Sequence, residues 1–142
     1  MHRTVRHLIL CLVLSGCASL SADPGPVWVR RVFLTKHPMT GTFTHDALLG
    51  PTTDRFSASA KMGYLYVVFN DSNQHRVQFT VTREAAGSVY KLDKMVGSDP
   101  RPWEWRAVYL EIPVAGTLTQ GRHTLDLTVD GVAAGSYPFT VE

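Results

Sequence analysis

The sequence is poor in cysteine. Of its 142 residues only Cys11 and Cys17 carry a thiol, and both lie near the N-terminus, so no disulfide can staple the body of the chain. Beyond position 17 there is no thiol for nucleophilic catalysis, nor for the cysteine ligand of a blue-copper site. Charge is sparse at 18%. No stretch reaches the ~18 apolar residues a bilayer-spanning helix needs, and no window of useful length shows a 3.6-residue apolar period. Also missing are a Gly-x-Ser-x-Gly elbow, a His-Glu-x-x-His pair and a glycine-rich loop ending in Gly-Lys-Ser/Thr. What the chain does have is 11 Gly, 8 Pro, 10% aromatic and 44% hydrophobic residues, the composition of one β-rich domain with many turns.

Arg3 and Arg6 precede the apolar run Leu8 to Leu14, the order of a secretory signal. The junction Leu14-Ser15-Gly16-Cys17 resembles the lipobox of bacterial lipoproteins. That resemblance implies cleavage before Cys17 and acyl groups on its sulfur and amine. Two or three acyl chains at ~0.8 kcal/mol per buried methylene make a durable anchor. Ala18 stands where an Asp would imply retention at the inner membrane, so the same resemblance implies lipid anchoring at the outer membrane, facing the periplasm. The expected organisation is a signal peptide over 1–16, a lipidated Cys17 with a tether to 26, and a β-sandwich over 27–142. Two prolines and small polar residues fill Ala18 to Pro26, a linker of at most ~30 Å. Loss of Arg3 and Arg6 from the 14 basic residues leaves 12 against 12 acidic ones, which removes the electrostatic argument for a nucleic-acid partner.

Period-2 alternation runs through the rest. Strands are expected at Val27–Thr35, Phe56–Ala60, Tyr64–Asn70 (the last two separate, or one strand bent at Gly63), around Val77–Thr82, at Val89–Val96 as a charged edge, and at Trp103–Ile112, His123–Val129 and Val132–Val141. Thr44 to Asp54 suggests a single helical turn. Seven or eight short strands indicate an all-β, antiparallel, Ig-like sandwich. The ending from Gly121, through Asp130-Gly131 to Phe139-Thr140-Val141, resembles the final hairpin of bacterial Ig-like extracytoplasmic modules. For Leu125, Leu127, Tyr137, Phe139 and Val141 to share a face, the turn is expected to be a three-residue loop pairing 128 with 132, with a G1 bulge at Gly131.

His37, His45, His75 and His123 are scattered, and with Met39, Met62 and Met95 they read as loop histidines and core methionines, so no metal and no cofactor is expected. Asp71-Ser72-Asn73 begins like a calcium loop, but Arg76 sits at the required glycine position, and Asn70 to His75 reads as a hairpin loop. Trp103, Trp105 and Tyr109 share one strand face, while Val108, Leu110 and Ile112 share the other, and Arg101 lies in a stiff loop beside them. No catalytic set is recognisable. The sequence therefore points to a non-enzymatic outer-membrane lipoprotein that binds another envelope protein as a structural or assembly accessory. The second reading is a cell-wall or surface glycan-binding module using Arg101, Trp103, Trp105 and Tyr109.

Overall fold

A computed structural model describes residues 26, 28–38, 52–98 and 106–142. The described residues form eight strands and no helix: β1 (Val29–Thr35), β2 (Arg55–Phe56), β3 (Met62–Phe69), β4 (His75–Arg83), β5 (Gly87–Val96), β6 (Arg106–Pro113), β7 (Gly121–Val129) and β8 (Val132–Val141). They make two sheets, ordered β1-β3-β6 and β2-β8-β7-β4-β5. All pairings are antiparallel except the short parallel contact of β2 with β8. The leader, the lipobox, most of the tether and most of Thr44 to Asp54 lie outside the described residues.

Alternation of apolar and polar residues decides which side chains turn inward. On β4, Val77, Phe79 and Val81 are buried while Arg76 is exposed and Gln78 and Thr80 are half-buried. β7 repeats the pattern with Leu125, Leu127 and Val129. These residues join Leu65, Val67 and Phe69 of β3 and Leu110 and Ile112 of β6 in a single core shared by the two sheets. Each such burial contributes about 1.5–3 kcal/mol. Strand β3 reads as an unbroken apolar run because Tyr66 and Val68 are also buried, on its other face, with Phe33 of β1.

Gly63 marks the start of β3, where the sequence suggested a bend. β2 and β3 are separate strands in different sheets, and the Phe56 ring packs so close to Gly63 that a Cβ there would sit 2.6 Å from it. Asn70 to His75 is not a hairpin loop: β3 and β4 belong to different sheets, and the segment arches between them.

The last hairpin corrects the expected register. Val129 pairs with Val132 and Thr128 with Ala133, so the loop has two residues. Asp130 (φ 51°) and Gly131 (φ 79°) are both left-handed, the requirement of a type I′ turn. The extra residue enters later, where the register shifts between Leu127 and Thr128 and Leu127 meets Gly135. From there Leu125 faces Tyr137 and His123 faces Phe139. The apolar faces thus match as the alternation demanded, through a bulge at Ala134-Gly135 and not at the turn.

Gly135 has φ 130°, and a Cβ there would lie 2.5 Å from the Tyr137 hydroxyl. Gly135→Ala is therefore expected to destabilise the domain by about 1–3 kcal/mol in urea unfolding. An unchanged midpoint would mean that the bulge relaxes freely.

Candidate functional site

Two features stand out once the strands are in place: a buried imidazole held by two carboxylates, and an open flank between the last strands of the two sheets.

His75 opens β4 with the same parity as Val77, Phe79 and Val81, so the pleat turns it inward. It is buried to 4% exposure. Its ring lies parallel to Phe69, with centroids 4.4 Å apart, and parallel to Trp28 at 6.3 Å. Nδ1 is 2.7 Å from Asp130 Oδ2, and Nε2 is 2.7 Å from Asp71 Oδ1. The other oxygen of Asp130 accepts the Arg76 amide at 2.7 Å. Burial works to raise the carboxyls of Asp71 and Asp130, but their hydrogen bonds to His75 and to neighbouring amides outweigh it and hold both below the usual carboxylate value. Arg106, also buried, lies over Phe69 at 5.5 Å. It donates to the Gly97 carbonyl at 2.5 Å and to the Asn73 carbonyl.

His123 is the second inward imidazole, stacked on Phe139 at 5.3 Å. A carbonyl can only accept, so Nδ1 donates to Gly121 O at 3.1 Å and Nε2 keeps its lone pair without a hydrogen-bond partner among the described residues. Burial, aided by the nearby Arg83 charge and opposed by the Gly121 bond, pushes this imidazole below its ordinary value. The expectation of loop histidines and core methionines is thus reversed at four positions: His75 and His123 are buried, whereas Met62 and Met95 are exposed at 37% and 52%. Strand parity was the signal, since His75 shares it with Val77 and His123 with Leu125. His37 is exposed. His45 and Met39 lie outside the described residues. Among those described, no group of three metal-ligating side chains comes together.

The open flank arises because β5 ends one sheet and β6 the other. Between them runs a groove of about 650 Å³. Tyr90 and Leu92 of β5 and Val108 of β6, all half-buried against the core, give it an apolar floor. Lys94 and Glu111 line it as well, from β5 and β6. Both are exposed, and neither forms an ion pair among the described residues. The opposite flank is closed by backbone bonds from Thr53 N–H to Leu34 O at 2.8 Å and from Thr140 N–H to Asp54 O at 2.7 Å.

Of the residues expected to form a site, Tyr109 is exposed at 47% on the outer face of β6, in contact with the Tyr64 and Tyr66 rings. It also edges the groove. Val108, Leu110 and Ile112 take the inner side. Cys17, Arg101, Trp103 and Trp105 lie outside the described residues, so no platform of Trp103, Trp105 and Tyr109 can be drawn.

No family model matches the chain, and no curated protein does either. A solved structure of similar shape is the Pseudomonas fluorescens alkylpurine DNA glycosylase AlkC bound to DNA containing an abasic site analog, with TM-score 0.45 and 14% identity. The match covers 63% of this chain and only 28% of that one. That protein is an enzyme and holds DNA. The expectations of a non-enzymatic envelope accessory or glycan module, and of partners that exclude nucleic acid, are accordingly corrected and withdrawn. So distant a likeness assigns neither an activity nor a ligand to this chain.

Because their native values are lowered, Asp71 and Asp130 add stability that is full above the unfolded carboxylate value near ~4 and is lost as pH falls through the lower native values. Urea unfolding midpoints should drop between about pH 4 and 2, and Asp130→Asn should show a smaller drop. An equal acid loss in that variant would show that the contact with His75 does not govern it.

Proposed function

We propose that this chain is an amphiphile-binding domain of immunoglobulin-like arrangement, held by lipid on Cys17 at the bacterial outer membrane and facing the periplasm. Its working surface is the β5–β6 flank, and its ligand has an acyl chain and a zwitterionic head. The observation that carries this reading is the groove itself: an apolar floor of Tyr90, Leu92 and Val108 with Lys94 along it and Glu111 at its rim, on the outer face of β6 with Tyr109, neither ion-paired among the described residues. Burying acyl methylenes on that floor is favourable by about 0.8 kcal/mol each. Lys94 suits the phosphate of such a head and Glu111 its ammonium. A wholly apolar ligand lying along the floor would desolvate Lys94 without compensation. The volume falls within the ~300–1,000 Å³ typical of small-ligand sites. Attachment through Cys17 and a tether of at most ~30 Å would keep the groove within reach of phospholipid.

Dodecylphosphocholine, titrated below its micelle concentration, is expected to bind the domain at one saturable site by calorimetry. Leu92→Glu and Met62→Glu, both at partly exposed positions in the groove lining, should each weaken it at least about tenfold, the cost of placing a charge against an acyl chain. Absence of saturable binding, or binding indifferent to both variants in folded protein, would overturn the reading. Membrane fractionation of Cys17→Ala checks the anchor separately, since a chain that remains with membranes without Cys17 is not lipid-anchored there.

A further inference from the structure

The His75 arrangement imposes a proton count. An ionised carboxylate accepts hydrogen bonds and donates none. Asp130 Oδ2 stands 2.7 Å from Nδ1 and Asp71 Oδ1 stands 2.7 Å from Nε2, so both contacts are hydrogen bonds only when both ring nitrogens carry a proton. A neutral ring would turn a lone pair toward one of the two anions. The three participants come from different places in the chain: Asp71 from the β3–β4 arch, His75 from the start of β4, and Asp130 from the β7–β8 turn.

We propose that His75 is a pH-dependent latch: its imidazolium fastens the β3–β4 arch to the β7–β8 turn, and loss of one ring proton releases that fastening. The charged groups around it favour this use. Asp71 and Asp130 meet the ring directly. Arg106 of β6 reaches it only across Phe69, its guanidinium 5.5 Å from that ring. On β4, Arg76 is neutralised by Asp93 of β5, with Nη2 to Oδ2 at 2.5 Å. Trp28, ahead of β1, stacks on the ring and contributes no charge. The two carboxylates are therefore the only charged groups in direct contact with the ring among the described residues.

The latch bears on the open flank through one further bond. Asn73, in the arch that Asp71 fastens, offers its carbonyl to Arg106, whose other amino group holds Gly97 just beyond β5. Arg106 thus joins the end of β5 to the start of β6. Release of the arch loosens this end of the groove, so amphiphile affinity should fall as pH rises. This last consequence rests on the amphiphile reading; the latch itself does not.

The test is an imidazole 15N spectrum of the full domain without ligand, followed from pH 5 to 9. At the acid end both ring nitrogens of His75 should be protonated. On raising the pH one proton should leave, and the amides of Asn73, Arg76 and Gly131 should shift in the same transition while that of Thr80 stays still. His75→Phe, which keeps the stacking on Phe69 and Trp28, should abolish the shared transition. If that variant does not fold, Asp130→Asn, whose side-chain amide can meet a neutral ring, should leave the amide of Gly131 out of the transition. A folded domain with a single ring proton on His75 at pH 5, or amides that do not follow the ring, would overturn the latch. In a domain that binds dodecylphosphocholine, affinity that stays level across the transition would overturn the coupling to the flank while leaving the latch standing.

Discussion

Every strand must satisfy its backbone hydrogen bonds along two edges, and how these two sheets do so determines where the molecule is closed and where it is open. With three strands facing five, four sheet edges remain. On one flank β2 and the chain around it close the gap: Thr53 bonds back to Leu34, and Asp54 accepts from Thr140. On the other, β5 and β6 are joined near one end through Arg106 and Gly97. The apolar side chains that would be core in a closed arrangement, Leu92, Tyr90 and Val108, therefore remain half-buried along a groove. A cleft with a greasy floor and charges at its margin is the natural product of that unequal pairing.

Strand position was largely legible in the sequence, because a half-buried sheet writes its geometry as alternation. The inward residues of β4, β7 and β8 follow directly from it. The last hairpin shows its limit. Alternation required one extra residue between Leu125 and Tyr137, and the structure contains one, at Ala134-Gly135. Alternation says nothing about where that residue enters, however, because Asp130-Gly131 suits a two-residue type I′ turn as readily as a bulged one. The sheet partners of β3 and β4 were equally hidden. A short polar connection such as Asn70 to Gln74 serves a hairpin or an arch between sheets, and only long-range packing decides.

Site chemistry was less legible, and the histidines explain why. His75 and His123 look like scattered polar residues until each is counted as the first inward position of its strand. Burying imidazole is unfavourable unless partners are supplied, and two of the partners, Asp71 and Asp130, come from connections whose placement depends on the whole fold. The groove had no motif at all. Met62, Tyr90, Lys94 and Glu111 are unremarkable in sequence and meet only because β5 and β6 end their respective sheets. Tyr109 was singled out for its aromatic neighbours and proves to be an exposed residue at the groove's edge.

As proposed, the unclosed flank is a ligand site and not merely a ragged border between two sheets. Intermolecular nuclear Overhauser contacts between dodecylphosphocholine and the methyl-labelled domain test it most directly. Acyl-chain contacts to Leu92 and Val108 are expected, with the head group near Lys94. Contacts confined to other surfaces, such as the outer faces of β4 and β7, would contradict it.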